Sequence, residues 1–350
     1  MLILGIETSC DDTAAAVVRD GGEVLSSIVS SQDSVHAPYQ GIVPEMASRC
    51  HLERIDGVVA AAFDEAGTNP AEMDLVAVTA GPGLLGSLLV GLSFAKGLSF
   101  SIGLPLVAVD HIQAHLMTMD LAGGTPTPSV ALVASGGHTT LFEIGSAGSI
   151  KSVGRALDDA AGEALDKAAK LLGLGYPGGP AVEIAALKGN PEALTLPRPL
   201  VGKDNLNFSF SGLKTALYTY LLRNGYLGTD TGAGDRPAPD VADLAASYLA
   251  AVIDVLVAKC RQAVKSCGVE HLIVTGGVAR NSLLRIRMME AGVMDGFRPH
   301  FPPPSLCSDN AAMVAAIGYR MRGRAGTDIL SLNAYSTKSL RIRGPVRKEQ

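Results

Sequence analysis

Two imidazoles four residues apart, in His111-Ile-Gln-Ala-His115, carry the most pointed chemistry in the chain. On a helix, that spacing puts both rings on one face. Two neutral imidazoles and a carboxylate make a three-ligand site with open positions, suited to Zn²⁺ or Fe²⁺. The bland alternative is a pair of surface or helix-capping histidines. The pattern resembles the zinc-protease His-Glu-x-x-His, but residue 112 is Ile, so that chemistry lacks its general base. A metal-dependent peptidase is therefore the weaker alternative.

Other stretches could meet a ligand through their backbone. Glu7-Thr8-Ser9-Cys10-Asp11-Asp12-Thr13 and Ser135-Gly136-Gly137-His138-Thr139 are polar turns, each between two strand-like runs. N–H groups in such turns can form nests for phosphate. Asp11 and Asp12 would repel phosphate unless a cation or a proton intervenes. Thr275-Gly276-Gly277-Val278-Ala279-Arg280-Asn281 ends a strand and opens a helix. Glycine there lets a nucleotide approach the backbone, and the helix N-terminus favours anions. Asn281 would touch the ligand or simply cap the helix.

Asp159, Glu163 and Asp166 share one expected helix face, a costly arrangement unless they bind hydroxyls or cations or are neutralised by Lys167 and Lys170. Glu163, Asp166 and Glu183 are candidates for ligand hydroxyls. Gly81-Pro82-Gly83-Leu84-Leu85-Gly86 matches a dinucleotide fingerprint in spacing. Pro82 in the turn, and Asp110 directly before the histidine pair, favour tight strand–helix packing instead. No G-x-S-x-G or P-loop lysine motif occurs.

The elements that must hold these residues look duplicated. LILGIETSCDDTAAAVV and SVALVASGGHTTLFEI each read strand, polar turn, strand. LVAVTAGPGLLGSLLV resembles HLIVTGGVARNSLL, both strand, turn, helix. In the first half the next strand delivers His111; in the second, RPHFPPPSLCSD delivers Asp309. If the halves fold alike, His111 and Asp309 face one cleft, and Asp309 becomes the third ligand. Strands alternating with helices predict a duplicated α/β fold with two lobes, residues 1–128 and 129–335, followed by a tail, 336–350. Helices are expected from Pro44 toward Gly67, over Asp158–Leu172 and over Pro239–Cys267; residues 189–210 and 223–238 read as loops.

Composition bounds the class. The 350 residues are 47% hydrophobic and 18% charged, which excludes a disordered chain. Five cysteines without a C-x-x-C pair fit a reducing compartment. The N-terminus has no basic region before Glu7, and the uncharged run from Leu75 to Ala95 is broken by its Gly-Pro-Gly turn. Together these predict a cytoplasmic protein with no membrane partner. Residues 316–350 hold eight Lys/Arg against two acids, a net +6, so the rest of this −5 chain stands at −11. Such a tail is either a contact for nucleic-acid phosphates or a solvated segment.

GIETSCDDT, DHIQAH, VASGGHT, GEALDKAAKLLGLGYPGGP, FSFSGLKTA, VTGGVARN and LCSDNAAM, in this order and spacing, resemble the tRNA threonylcarbamoyladenosine synthase catalytic-subunit family, TsaD, in its bacterial branch. The resemblance runs from Met1 to about Ala334. It implies the fold of the acetate and sugar kinase, Hsp70 and actin superfamily. It also implies transfer of a threonylcarbamoyl group from threonylcarbamoyl-adenylate to N6 of adenosine 37, in tRNAs reading codons that begin with A. A small-molecule kinase or ATPase of the same superfamily is the other alternative. By motif, His111, His115 and Asp309 would bind a metal, usually Fe²⁺, with Zn²⁺ as the alternative. Val133, Ala134, Ser135, Gly136, Gly137, Asp166, Gly179, Glu183 and Asn281 would bind the adenylate. Bacterial relatives often carry the shorter Asp where Glu183 stands. Asp11 is the candidate general base. Arg280, Arg285, Arg287 and the tail would hold tRNA phosphates. The implied partners are a non-catalytic paralogue, TsaB, and a small ATPase, TsaE.

Overall fold

The computed structural model describes residues 1–146, 148–226, 240–326 and 329–336. They form two compact units, residues 1–126 with 302–336 and residues 127–301. The first break falls near the expected boundary at 128. The expectation that everything from 129 to 335 forms the second lobe needs correction, because the chain returns to the first unit at Pro302. Most of the expected loop at 223–238 and nearly all of the expected tail lie outside the described residues.

The first unit runs β1 (Leu2–Glu7), β2 (Asp12–Arg19), β3 (Glu23–Ser31), the single turn α1 (Asp33–His36), α2 (Pro44–Ala66), β4 (Leu75–Gly81), α3 (Leu85–Ile102), β5 (Leu106–Asp110) and α4 (His111–Leu116). Its sheet order is β3-β2-β1-β4-β5, with β4 and β5 parallel to β1 and the hairpin strands antiparallel. β4 is buried along its whole length and β1 almost so, which is why both read as continuous apolar runs. Leu4, Ile6, Val76 and Val78 pack with Ile55 and Phe63 of α2 and Leu92 of α3. The returning segment adds α10 (Pro304–Cys307) and α11 (Ala311–Arg320), and α11 lies on β1, β2 and β4. Small residues permit that approach: a Cβ on Gly5 would overlap the Ala311 carbonyl, and one on Gly318 would press 2.5 Å from Ala77 Cβ.

The second unit repeats the plan with β6 (Ser129–Ala134), β7 (Thr139–Ile144), β8 (Ile150–Arg155), α5 (Ala161–Leu172), α6 (Gly178–Ala186), α7 (Ser211–Arg223), α8 (Val241–Cys267), β9 (His271–Thr275), α9 (Ser282–Asp295) and β10 (Arg298–His300). The sheet order β10-β9-β6-β7-β8 and its strand directions match the first sheet, so the duplication read in the sequence is a duplication of topology. Both α3 and α8 are long and apolar enough to cross a membrane; most of α8 is buried in this unit, where it packs on β6. The loop at 189–210 is anchored at two points along its length. Arg198 pairs with Asp254 at 2.8 Å, and the buried Lys259 donates to the Asn205 carbonyl at 2.5 Å. Asp158 lies ahead of α5, not in it, and accepts from Phe210 N–H at 2.8 Å and Ser211 Oγ at 2.7 Å, seating α7. None of the five cysteines forms a disulfide.

Candidate functional site

β5 ends at Asp110, whose carboxylate caps α4 by accepting the N–H groups of Ile112 at 3.0 Å and Gln113 at 3.1 Å. Tyr335 Oη donates to the other oxygen of Asp110 at 2.7 Å. The cap fixes the first turn, and with it the face that carries both histidines. The rings of His111 and His115 meet edge to face with centroids 4.7 Å apart. Ile112 is buried between them in sequence, so an apolar side chain occupies the position that would hold a zinc peptidase's base.

Asp309 follows α10, held by a loop in which Asn310 Nδ2 donates to the Ser308 carbonyl at 2.8 Å and Asn310 Oδ1 caps α11. Asp309 Oδ1 lies 3.1 Å from His115 Nε2 and 3.6 Å from His111 Nε2. The three ligand atoms fall within 4.8 Å of one another, a spacing that fits shared coordination of one cation. All three residues belong to the first unit. The symmetric reading, with the acid supplied by the second lobe, is thereby corrected: α11 carries Asp309 back to the first sheet.

Glu7, at the end of β1, is the partner that the sequence reading missed. Its Oε2 accepts from His111 Nδ1 at 3.0 Å, leaving Nε2 toward Asp309. A lone acid closing an apolar strand was the available signal. Burial works against the charge on His111, but Asp309 and Glu7 overcome it and push its pKa up to about 9. Burial raises and the His111 charge lowers the Glu7 carboxyl, which ends below its ordinary range. Burial and then the Asp309 charge push Asp11, in the turn after β1, up to about 6 and Asp12, the first residue of β2, up to about 7. Burial, with Asp11 next, drives the Cys10 thiol well above its ordinary value.

The glycines of Gly81–Gly86 pack against their own chain. A Cβ on Gly81, Gly83 or Gly86 would collide with Tyr335, Ser9 or Ser48 respectively, which leaves no room for a pyrophosphate.

The second unit gathers the other predicted residues at the ends of the parallel strands β6 and β9. Val133 and Ala134 bury their side chains in the sheet and offer only backbone. The turn beyond them closes through Ser135 N–H to the His138 carbonyl at 2.8 Å, and Gly162 N–H of α5 donates to the Ser135 carbonyl at 3.2 Å. Asp166 Oδ1 accepts Gly178 N–H at 2.8 Å and so ties α5 to the start of α6. Glu183 Oε1 accepts Ser282 N–H at 2.8 Å, and Asn281 Oδ1 accepts Leu284 N–H at 3.0 Å, so both fix the start of α9. Lys167 neutralises Asp159 at 2.5 Å and Glu163 at 2.9 Å, as the alternative reading of that face required. By contrast, a Cβ on Gly136, Gly137, Gly179 or Gly277 would meet nothing within 4 Å. Four glycines without a packing reason, on segments tied together by these bonds, leave a bare backbone platform to which a planar or anionic ligand has access. Among the expected phosphate-holding arginines, Arg280 and Arg287 are exposed. Arg285 instead donates to the Ala279 carbonyl at 2.7 Å and stacks 4.7 Å over Phe301.

Comparison with known proteins follows the same lines. Residues 23–316 match the profile of the family described as TsaD, tRNA N6-adenosine threonylcarbamoyltransferase. A protein of that name from Geotalea uraniireducens (strain Rf4) is 49% identical over 346 residues, covering 98% of each chain. One from Trichlorobacter lovleyi is 50% identical over 337 residues, 96% of each. Among solved structures, component A of the Acidaminococcus fermentans (R)-2-hydroxyglutaryl-CoA dehydratase superposes with a TM-score of 0.54 at 15% identity, over 92% of this chain and 99% of that one. That likeness is one of fold alone.

Proposed function

Because the chain belongs to the tRNA N6-adenosine threonylcarbamoyltransferase family, TsaD, and is a transferase of tRNA modification, we propose the finer chemistry as follows. The donor is threonylcarbamoyl-adenylate, the acceptor is N6 of adenosine 37 in tRNAs reading codons that begin with A, and AMP leaves. The open glycines Gly136, Gly137, Gly179 and Gly277 receive the adenylate, with Asp166, Glu183 and Asn281 holding the platform in shape. Each of their bonds to backbone N–H groups uses one oxygen, so Asp166, Glu183 and Asn281 also stay the proposed contacts to the adenylate.

His111, His115 and Asp309 would hold one metal ion, Fe²⁺ or Zn²⁺; two imidazoles and one carboxylate suit either. When bound, the ion supplies a Lewis acid with positions open to oxygen ligands. AMP is a good leaving group, so the protein's remaining work is to position a weak amine and remove its proton. Asp11, with a carboxyl at about 6, is a carboxylate at neutral pH that still accepts a proton readily. Arg280 and Arg287 offer exposed charge to tRNA phosphates. The reaction takes place in the cytoplasm, with TsaB and TsaE as partner proteins.

The observation that carries this reading is the convergence of His111, His115 and Asp309 on one point. Its test is reconstitution with tRNA, threonine, bicarbonate, ATP and the partner proteins, followed by mass spectrometry of the nucleosides. Asp11→Asn should lower the rate by about 10²-fold or more, the usual loss of a general base. An unchanged rate would remove Asp11 from the mechanism.

A further inference from the structure

One fully buried acid beside the histidines is not itself among the three converging ligands. Both oxygens of Glu7 are committed. Oε1 accepts Ser9 N–H at 2.5 Å, and Oε2 accepts the Thr79 hydroxyl at 2.6 Å as well as His111 Nδ1–H at 3.0 Å. The Ser9 hydroxyl oxygen lies 3.2 Å from the same Nδ1. The end of β1, the middle of β4 and the start of α4 thus meet on one carboxylate. From these contacts we infer that Glu7 is a positioning residue: it holds a proton on His111 Nδ1, so that Nε2, on the side of Asp309, is the nitrogen left to ligate a metal ion. The inference rests on the metal reading above and adds a residue to it.

The chemistry is one of donors and acceptors. A ligating imidazole must present an unprotonated nitrogen, and its other nitrogen sets which one that is. A carboxylate only accepts, so the nitrogen facing Oε2 must carry the proton. Glutamine at this position has the same shape but the wrong inventory. Its NH₂ would face either Ser9 N–H, a donor that cannot rotate, or His111. In the second placement His111 Nδ1 must become an acceptor, and its proton moves to Nε2, the nitrogen that has to ligate. The Thr79 hydroxyl can turn to accept, so it does not prevent this exchange.

The test uses the full chain and Zn²⁺ as probe, with affinity measured by competition against a chromophoric chelator. Wild type, Glu7→Gln and Thr79→Val are compared, together with the Tm of each metal-free protein and the ¹⁵N-edited Nδ1–H signal of His111 in the zinc-loaded forms. Glu7→Gln should bind zinc about 10–100-fold more weakly, the usual cost of losing a ligand's orienting partner. Thr79→Val, which only frees Oε2, should lose about 3–10-fold. The Nδ1–H signal should be slow to exchange in zinc-loaded wild type and exchange much faster in zinc-loaded Glu7→Gln, where the carboxylate that held it is gone. A purely structural role would lower the metal-free Tm and leave zinc affinity and that signal in place, which overturns the inference. If Glu7→Gln does not fold, Thr79→Val decides alone, and unchanged affinity overturns it. A wild type that binds no zinc would instead overturn the metal reading itself, a separable result.

Discussion

Asp309 Oδ1 lies 3.1 Å from His115 Nε2 although 194 residues separate them. The contact exists because the chain, after building a second unit, returns to lay α11 on the first sheet. The approach of α11 to β1 therefore governs where Asp309 meets the two histidines, and glycine at position 5 permits that approach.

Gly5→Ala tests this dependence. The new methyl would overlap the Ala311 carbonyl, and backbone cannot give way cheaply. We expect a loss of about 1–3 kcal/mol, a drop in Tm of about 2–4 °C per kcal/mol, and weaker metal binding as Asp309 shifts. Gly97→Ala in α3, whose Cβ meets nothing within 4 Å, is the control. It should be neutral or stabilise by about 0.5–1 kcal/mol. Equal Tm for wild type and Gly5→Ala would show that α11 is not tightly seated.

The platform glycines predict the opposite pattern. Gly136→Ala and Gly179→Ala add a methyl to open space, so stability should stay within about 0.5 kcal/mol of wild type. Nucleotide or donor affinity should fall about tenfold or more, because the methyl occupies the ligand's approach. Calorimetric titration beside thermal unfolding separates the two. Lost stability with intact affinity would make these glycines structural.

Asp12 gives the centre a pH signature. Its folded pKa of about 7 lies above the ordinary 3.8, because burial and then the Asp309 charge disfavour the carboxylate. The folded chain thus holds a proton that the unfolded chain releases, and this contribution to stability falls as pH rises from about 4 to about 7. Asp12→Asn removes it. The Tm of the metal-free variant, relative to wild type, should rise steadily across that window and then level off. A difference that is flat with pH, or that shrinks as pH rises, contradicts the assignment.

The amino-acid pattern showed the repeated strand–turn–strand units because alternating apolar runs and polar turns are local. The histidine pair and its likeness to a metal site were equally legible, since four-residue spacing on a helix needs nothing distant. Asp309 was reached both by motif resemblance and by an argument with the wrong physical cause. Symmetry between the halves suggested it, whereas the cause is close packing of Ala311, Ala315 and Gly318 on Gly5 and Ala77, and small residues alone do not say which sheet they meet. Glu7 was overlooked because its partners, Thr79 and His111, lie 72 and 104 residues away. Glu183 and Asn281 were read as ligand contacts, with capping as the alternative for Asn281; only geometry adds that one oxygen of each accepts a backbone N–H at the start of α9, which is compatible with a ligand contact.

The central claim is that His111, His115 and Asp309 hold one metal ion on which threonylcarbamoyl transfer depends. The most direct measurement is bound metal per chain, by elemental mass spectrometry, alongside threonylcarbamoyladenosine formed on tRNA, for wild type and for His111→Ala with His115→Ala. The account predicts about one ion per chain in the wild type, none retained in the double variant, and modification lower by at least about 10²-fold, more than the 10–100-fold typical of losing a ligand's partner. A double variant that folds, carries no metal and modifies tRNA at the wild-type rate would contradict it.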